Sequence, residues 1–317
     1  MNPFVFVVGC PRSGTTLLQR MLGAHHEVAV IPETLWIARI YERRSGLTDE
    51  GLVTPKLIDK LLAKRRFVRM GIDRTELERL LAGGARPYAN FVTDVFDLYG
   101  RARRKPFVGD KSPGYVRSIP TLHSLWPHAR FVHLIRDGRD VALSAVAWKK
   151  ADKVFQDFST WPRDPWTTAA LWWERSVRLG REAAVVLPPD LYFELSYEAL
   201  VSDPEGESRR LCTFLGLAYD GQMLRFHAGR ARPDPSVPSK RQWLPPTAGL
   251  RDWRTQMPAE NLERFEAAAG ELLDELGYQR GAYRLGARRL AHAAAARGAF
   301  AEDVSVRARP LPERWSA

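Results

Sequence analysis

The sequence predicts a three-layer α/β fold in which helices flank a central parallel sheet. Short apolar runs alternate along the chain with segments of helical periodicity, as is typical of successive β-α-β units. The first run, residues 4–8, is continuously apolar, as expected of a strand buried on both faces. It leads through a glycine-bearing loop into a stripe at helical spacing, formed by Leu17, Leu18, Met21 and Leu22.

Four further runs have strand character, and each is followed by a polar residue. The predicted strands are residues 28–31, 107–108, 131–135 and 191–195. In chain order, the polar residues that follow them are Glu33, Lys111, Arg136 and Tyr197. Ligands of open α/β sheets bind beyond the carboxyl ends of the strands. We therefore expect these side chains and the glycine loop to converge on one edge of the sheet.

End signals place the helices and the domain boundaries. Residues 204–216 and 258–277 each begin at a proline and end at a glycine, which predicts two helices. Residues 45–105 are predicted to form a largely helical, basic insertion that caps a substrate cleft. A single domain is expected over residues 1–280, and residues 281–317 form a tail rich in Ala and Arg.

The composition of the chain limits the classes of function that it could have. The 317 residues are 45% hydrophobic and 27% charged, as in ordinary globular proteins. The net charge of +11 favours anionic partners, but the basic residues are dispersed, which argues against a nucleic-acid-binding protein. Two cysteines, Cys10 and Cys212, predict no disulfide framework and favour the cytoplasm. We expect no metal site, signal peptide or transmembrane segment.

The glycine loop has the geometry of a phosphate site. Gly9 and Gly14 lie between a buried strand and a helix, where backbone N–H groups and the positive helix end bind anions. A nucleoside-triphosphate P-loop continues with lysine, whereas here Thr15 and Thr16 follow. The missing lysine favours an end group of lower charge, for which Arg12 supplies one cation. A P-loop kinase-like phosphotransferase is the alternative.

Four segments resemble motifs of the P-loop sulfotransferases, which take a sulfuryl group from 3′-phosphoadenosine 5′-phosphosulfate (PAPS). Residues 11–18 resemble the 5′-phosphosulfate loop, and residues 131–144 resemble the 3′-phosphate motif. Residues 196–204 resemble the tyrosine-bearing strand end near the adenine, and residues 249–254 resemble the segment that closes over the nucleotide. The motifs occur in the family's order over most of the chain, and the closest likeness is to the bacterial and tyrosylprotein branch.

The resemblance implies which residues bind PAPS. The implied nucleotide-binding residues are Arg12, Ser13, Gly14, Thr15, Thr16, Arg136, Ser144, Tyr197, Trp253 and Arg254. No metal is implied. The acceptor is a hydroxyl, left open among carbohydrates, lipids, phenols and other small molecules.

The resemblance also implies the catalytic residues of an in-line displacement at sulfur. Glu33 would be the general base, while Lys111 and Arg12 would stabilise charge on the sulfuryl group and the leaving oxygen. Two simpler interpretations compete. Glu33 would be an exposed carboxylate or a partner of Arg12, and Lys111 would form a surface ion pair with Asp110.

The segment from Arg136 to Ser144 is suited to phosphate binding on physical grounds, apart from the resemblance. Arg136 ends a strand and Ser144 lies two turns along the next helix, so a guanidinium and a hydroxyl can hold a phosphate there. The competing interpretation is a salt bridge from Arg136 to Asp137 or Asp140. Arg139 is interpreted as a solvated or structural charge.

Three histidines are alternative candidates for the role of general base. We interpret His25 and His26 as surface residues and His133 as a core histidine.

Two positions depart from the family pattern. Trp148 stands where the tyrosylprotein branch has a second arginine, and Arg251 stands where that branch has serine. These departures argue against a tyrosylprotein acceptor.

Overall fold

The computed structural model describes residues 2–228, 246–247, 249 and 251–308. Its contacts define two compact units. Unit 1 comprises Met1–Ile135 and Arg178–Ala248, and unit 2 comprises Arg136–Val177 and Gly249–Ala317. The sequence does not predict this division, and the expected single domain over residues 1–280 stays a prediction.

Unit 1 contains the parallel sheet that the sequence predicts. Its strands are β1 Val5–Gly9, β2 Val28–Pro32, β3 Phe107–Lys111, β4 Arg130–Ile135 and β5 Tyr192–Ser196. They are ordered β2-β3-β1-β4-β5, and every pairing is parallel. Pro32 and Val7 both lie opposite Lys111, so the carboxyl ends of three strands meet at one edge.

Helices occupy most of the remaining described chain. In chain order they are α1 Thr15–Ala24, α2 Ile37–Glu42, α3 Pro55–Leu62, α4 Arg65–Val68, α5 Arg74–Leu81, α6 Tyr88–Arg101, α7 Ile119–Leu125, α8 Gly138–Val146, α9 Ala151–Phe155, α10 Pro165–Val186, α11 Tyr197–Ser202, α12 Pro204–Leu215, α13 Trp253–Gln256, α14 Ala259–Glu275 and α15 Ala287–Ala308. The two helices predicted from proline and glycine signals are α12 and α14. The predicted insertion is helical and contains α3 to α6.

The core of unit 1 forms on both faces of the sheet, which gives the three predicted layers. Along β1, Phe6 and Val8 face one cluster while Val5 and Val7 face the other, because side chains alternate along a strand. The first cluster also takes up apolar side chains of the insertion, including the fully buried Phe67. The insertion therefore shares its core with the sheet.

Unit 2 includes part of the tail. Helix α15 buries Ala293, Ala296 and Phe300, and the Phe300 ring stacks on Phe158 with 4.7 Å between centroids. Residues 309–317 of the predicted tail lie outside the described residues. Within the part of the chain that the structure describes, no helix combines the length and the apolarity needed to cross a bilayer.

Candidate active site

The loop after β1 follows a path that glycine alone fits at two positions. Gly9 and Gly14 have φ angles of 145° and 94°, in the range that side chains other than glycine rarely adopt. A Cβ on Gly9 would lie 2.5 Å from the Leu134 carbonyl oxygen, and one on Gly14 would lie 2.4 Å from the Tyr197 ring. The glycines therefore let the loop pack closely on the ends of β4 and β5.

The same loop presents donors suited to an anion. Gly14 precedes α1 without a side-chain cap, and the first turn of α1 has no acidic residue. The Ser13 hydroxyl is buried and has no hydrogen-bond partner among the described residues. Arg12 has a left-handed backbone (φ 79°), and Thr15 is buried in the first turn. An uncapped helix start beside an unsatisfied hydroxyl fits a phosphate or sulfuryl group.

Glu33, Lys111 and Thr16 meet at the edge of the sheet. The Lys111 Nζ donates to Glu33 Oε1 at 2.8 Å and lies 3.5 Å from Thr16 Oγ1. The Glu33 backbone N–H donates to the Lys111 carbonyl oxygen at 2.8 Å. The Lys111 side chain is only 4% exposed, whereas that of Glu33 is 36% exposed. Lys111 thus forms its ion pair with Glu33, and the surface pair with Asp110 is not what the structure shows.

A second cation contacts the same carboxylate. Arg66 on α4 donates from Nη1 to Glu33 Oε2 at 2.5 Å and to the Glu33 carbonyl oxygen at 3.0 Å. Burial alone would raise the pKa of Glu33, but Lys111 and Arg66 outweigh it and lower that pKa below its ordinary value. The carboxylate is therefore ionised at neutral pH. Sequence reasoning missed Arg66, because no local pattern distinguishes it from the other basic residues of the insertion.

A buried carboxyl supports the turn that follows β2. The Asp110 side chain accepts the Thr34 N–H at 3.1 Å. Burial raises the pKa of Asp110 to about 6, although the hydrogen bond from the Thr34 N–H and the charge of Lys111 oppose the rise. The Tyr115 hydroxyl lies 2.8 Å from Thr34 Oγ1 and accepts the Ile37 N–H at 2.9 Å. These contacts fix the backbone on the carboxyl side of Glu33.

The corner after β4 begins unit 2. Arg136 is buried and donates to Asp140 Oδ2 at 2.9 Å, so the salt bridge proposed from the sequence does form. The other oxygen of Asp140 accepts the Trp253 backbone N–H at 2.9 Å. Ser144, on α8, is also buried. The corner therefore joins Arg136, Asp140 and Trp253 within unit 2.

Arg139 is a buried structural charge and not a solvated one. Its side chain is 0% exposed and pairs with Asp137 and Glu266, each at 2.8 Å. The guanidinium also stacks on the Trp253 ring, 3.6 Å from the centroid. Arg254 is exposed and lies 4.7 Å from the same ring. Trp253 is thus fixed by Asp140 through its backbone and by Arg139 through its ring.

The three rival histidines form hydrogen bonds with residues outside the proposed catalytic group. His133 is fully buried, its Nδ1 lies 2.6 Å from the Tyr192 hydroxyl, and burial lowers its pKa to about 4, which confirms a core histidine. His25 precedes β2 and is fully buried, with Nε2 bonded to a backbone carbonyl, so the surface prediction is wrong for it. His26 is exposed and bonds to Asp220.

Comparisons with known proteins identify the family. A family model described as the sulfotransferase family matches residues 3–221. The chain therefore belongs to the sulfotransferase family, and its reaction class is sulfuryl transfer.

Similar proteins agree with that family. Protein-tyrosine sulfotransferase A of Caenorhabditis elegans is 28% identical over 225 residues, which cover 70% of this chain but only 52% of that protein. Protein-tyrosine sulfotransferase 2 of Gallus gallus is 26% identical over 283 residues, 87% of this chain and 69% of the relative. The sulfotransferase domain from the Synechococcus PCC 7002 olefin synthase shares the fold, with a TM-score of 0.60 and 22% identity over 88% of this chain and 96% of that domain.

Proposed function

We propose that this enzyme uses PAPS as its sulfuryl donor and transfers the group to an acceptor hydroxyl, with Glu33 as general base. The observation that supports this most directly is the position of the Lys111 Nζ. It lies 2.8 Å from Glu33 Oε1 and 3.5 Å from Thr16 Oγ1. Thr16 is in the first turn of α1, directly after the proposed anion-binding loop. One cation therefore connects the proposed base with the proposed donor site.

The donor would be bound through both of its phosphate ends. Backbone N–H groups at the start of α1, the Ser13 hydroxyl and Arg12 would bind the 5′-phosphosulfate, together with Gly14, Thr15 and Thr16. Arg136 and Ser144 would bind the 3′-phosphate. Tyr197, Trp253 and Arg254 would contact the rest of the nucleotide. The proposal requires no metal, because Arg12 and Lys111 supply the positive charge.

In the proposed reaction the acceptor oxygen attacks sulfur while the bond from sulfur to the 5′-phosphate oxygen breaks. The acceptor proton passes to Glu33, which is ionised and therefore able to accept it. Lys111 and Arg12 stabilise the charge that develops on the sulfuryl and leaving oxygens. The products are a sulfate ester and adenosine 3′,5′-bisphosphate.

The acceptor and the location are the finer parts of the proposal. We propose a hydroxyl of a carbohydrate, a lipid or another small molecule, since Trp148 and Arg251 depart from the tyrosylprotein pattern. We propose the cytoplasm as the location, because Cys10 and Cys212 are both buried free thiols.

A transfer assay tests the proposed function. The protein is incubated in EDTA with ³⁵S-labelled PAPS and a metabolite extract, and in parallel with Mg²⁺ and γ-labelled ATP. We expect labelled product from PAPS alone, independent of metal. Label transferred from ATP and not from PAPS would instead support the kinase-like alternative.

A further inference from the structure

We propose that Arg66 is a positioning residue that holds the Glu33 carboxylate in the orientation needed to receive the acceptor proton. This inference rests on the proposed function, and it gives the helical insertion a role in the reaction. The guanidinium reaches the base at two points, the carboxylate and the backbone carbonyl of the same residue. Two contacts to one residue restrain both the side chain and the turn that carries it.

The placement of Arg66 follows from the packing of its neighbour. Phe67 is fully buried in the core beneath the insertion. Its ring packs edge-on against Trp36, with 5.7 Å between centroids, and Trp36 lies three residues after Glu33. Helix α4 and the turn after β2 are therefore anchored to each other by an apolar contact. Because Arg66 is adjacent to Phe67, this packing places the Arg66 guanidinium beside Glu33.

The charges around Glu33 show what Arg66 contributes. Lys111 from β3 pairs with Oε1, and Arg66 from α4 pairs with Oε2. Asp110, also on β3, accepts the N–H of Thr34, the residue that follows Glu33. An ionised carboxylate has about four acceptor positions, so a hydroxyl can approach without displacing either cation. Arg66 therefore orients Glu33 and, together with Lys111, lowers the pKa of its carboxyl group against the effect of burial.

The chain offers a matched control for this role. Arg65 is the adjacent residue of the same helix, carries the same charge and is exposed. The Arg66 side chain is 44% exposed, so its replacement is expected to leave the fold intact. Both Arg66→Gln and Arg65→Gln remove one positive charge from the insertion, but only Arg66→Gln also removes the contact with Glu33. Comparing the two variants therefore isolates the effect of that contact.

The test combines kinetics with a direct titration. The dependence of kcat and kcat/KM on pH is measured for the parent, Arg66→Gln, Arg66→Lys and Arg65→Gln, and the ¹³Cδ resonance of Glu33 is titrated in each. For Arg66→Gln we expect the acid limb and the carbon titration to move to higher pH and kcat to fall about tenfold, because a displaced catalytic group loses rate steeply. Arg66→Lys should keep the parent's acid limb, and Arg65→Gln should match the parent throughout.

Failure of the role proposed for Arg66 can be distinguished from failure of the proposed function. If Arg66→Gln has the same acid limb, kcat and Glu33 titration as Arg65→Gln, Arg66 does not position the base and the proposal is overturned. If the parent transfers no sulfuryl group from PAPS, the proposed function fails and the catalytic role of Arg66 fails with it. In that case an upward shift of the Glu33 titration in Arg66→Gln still demonstrates the electrostatic contact by itself.

Discussion

The turn after β2 and the corner after β4 both place a charged side chain directly after a strand, but they are assembled differently. At the turn, Glu33 meets Lys111 and Arg66, which come from two other elements of unit 1. At the corner, Arg136 meets Asp140 one helical turn further on, and Arg139 meets Asp137 two residues back. The ion pairs of Arg136 with Asp140 and of Arg139 with Asp137 therefore join near neighbours in the sequence, although Glu266 and Trp253 also contact the corner. Both ion pairs of Glu33 instead depend on distant segments.

The two regions also differ in exposure. The Glu33 side chain is 36% exposed, with a cation on each oxygen, whereas Arg139 is 0% exposed between two carboxylates. A group within reach of a substrate can take part in proton transfer. A fully buried ion pair instead fixes structure, because breaking it leaves an uncompensated charge. We therefore expect substitution of Glu33 to change turnover and substitution of Arg139 to change stability.

Glu33→Gln gives the largest expected effect and tests the first half of the comparison. The amide cannot accept the acceptor proton, so kcat should fall by about 10²–10⁴-fold. Affinity for adenosine 3′,5′-bisphosphate should be retained. Steady-state turnover and calorimetric binding check the two parts, and near-normal turnover would remove Glu33 from the role of base.

Arg139→Met tests the second half. Asp137 and Glu266 would keep their charges without their shared partner, so the free energy of unfolding should fall by about 3–5 kcal/mol. The control is Arg209→Met, which breaks the exposed pair with Glu205 and should cost at most about 1 kcal/mol. Urea unfolding measures both. Equal, small losses in the two variants would contradict a structural role for Arg139.

Two buried groups of unit 1 give the smallest effects, visible in the pH dependence of stability. Asp110 has its pKa raised from 3.8 to about 6 in the folded state, so the native state binds more protons and stability falls as pH rises across that range. His133 has its pKa lowered from 6.5 to about 4, so the unfolded state binds more protons and stability rises with pH. The two slopes oppose each other.

Single substitutions should separate these slopes. Asp110→Asn should make the free energy of unfolding rise more steeply between pH 4 and 6, and His133→Asn should make it fall more steeply there. Urea unfolding at several pH values gives the slopes. Parallel curves for the parent and both variants would show that neither group titrates differently in the folded protein.

Local patterns were sufficient to predict the strands and the glycine-bearing loop between β1 and α1. Each strand overlaps one of the apolar runs, although β3 extends through Asp110 to Lys111. The close approach of Leu134 and Tyr197 requires the glycines of the loop. The pair between Arg136 and Asp140 was foreseeable because the two residues lie only four positions apart, on either side of the start of α8. These features depend on neighbours in the sequence or on general rules for parallel sheets.

Contacts between distant segments were not predictable in the same way. Arg66 is one of several basic residues in its segment, and its selection depends on the burial of Phe67 beside Trp36. His25 was expected at the surface, but the chain near Ala218 packs over it. The stacking of Arg139 on Trp253 joins residues more than a hundred positions apart. Each of these depends on tertiary packing that a single sequence does not encode locally.

The most direct test of the account is nucleotide binding by the two proposed phosphate ligands. Calorimetry in EDTA compares the parent, Arg12→Met and Arg136→Met with adenosine 3′,5′-bisphosphate, adenosine 5′-monophosphate and adenosine 3′-monophosphate. A charged hydrogen bond contributes about 1.5–3 kcal/mol, or roughly 10–100-fold in affinity. Arg136→Met should therefore lose that factor for the bisphosphate but not for the 5′-monophosphate, and Arg12→Met should lose it for the bisphosphate but not for the 3′-monophosphate. Variants that bind all three nucleotides as the parent does would contradict the assignment of these arginines to PAPS.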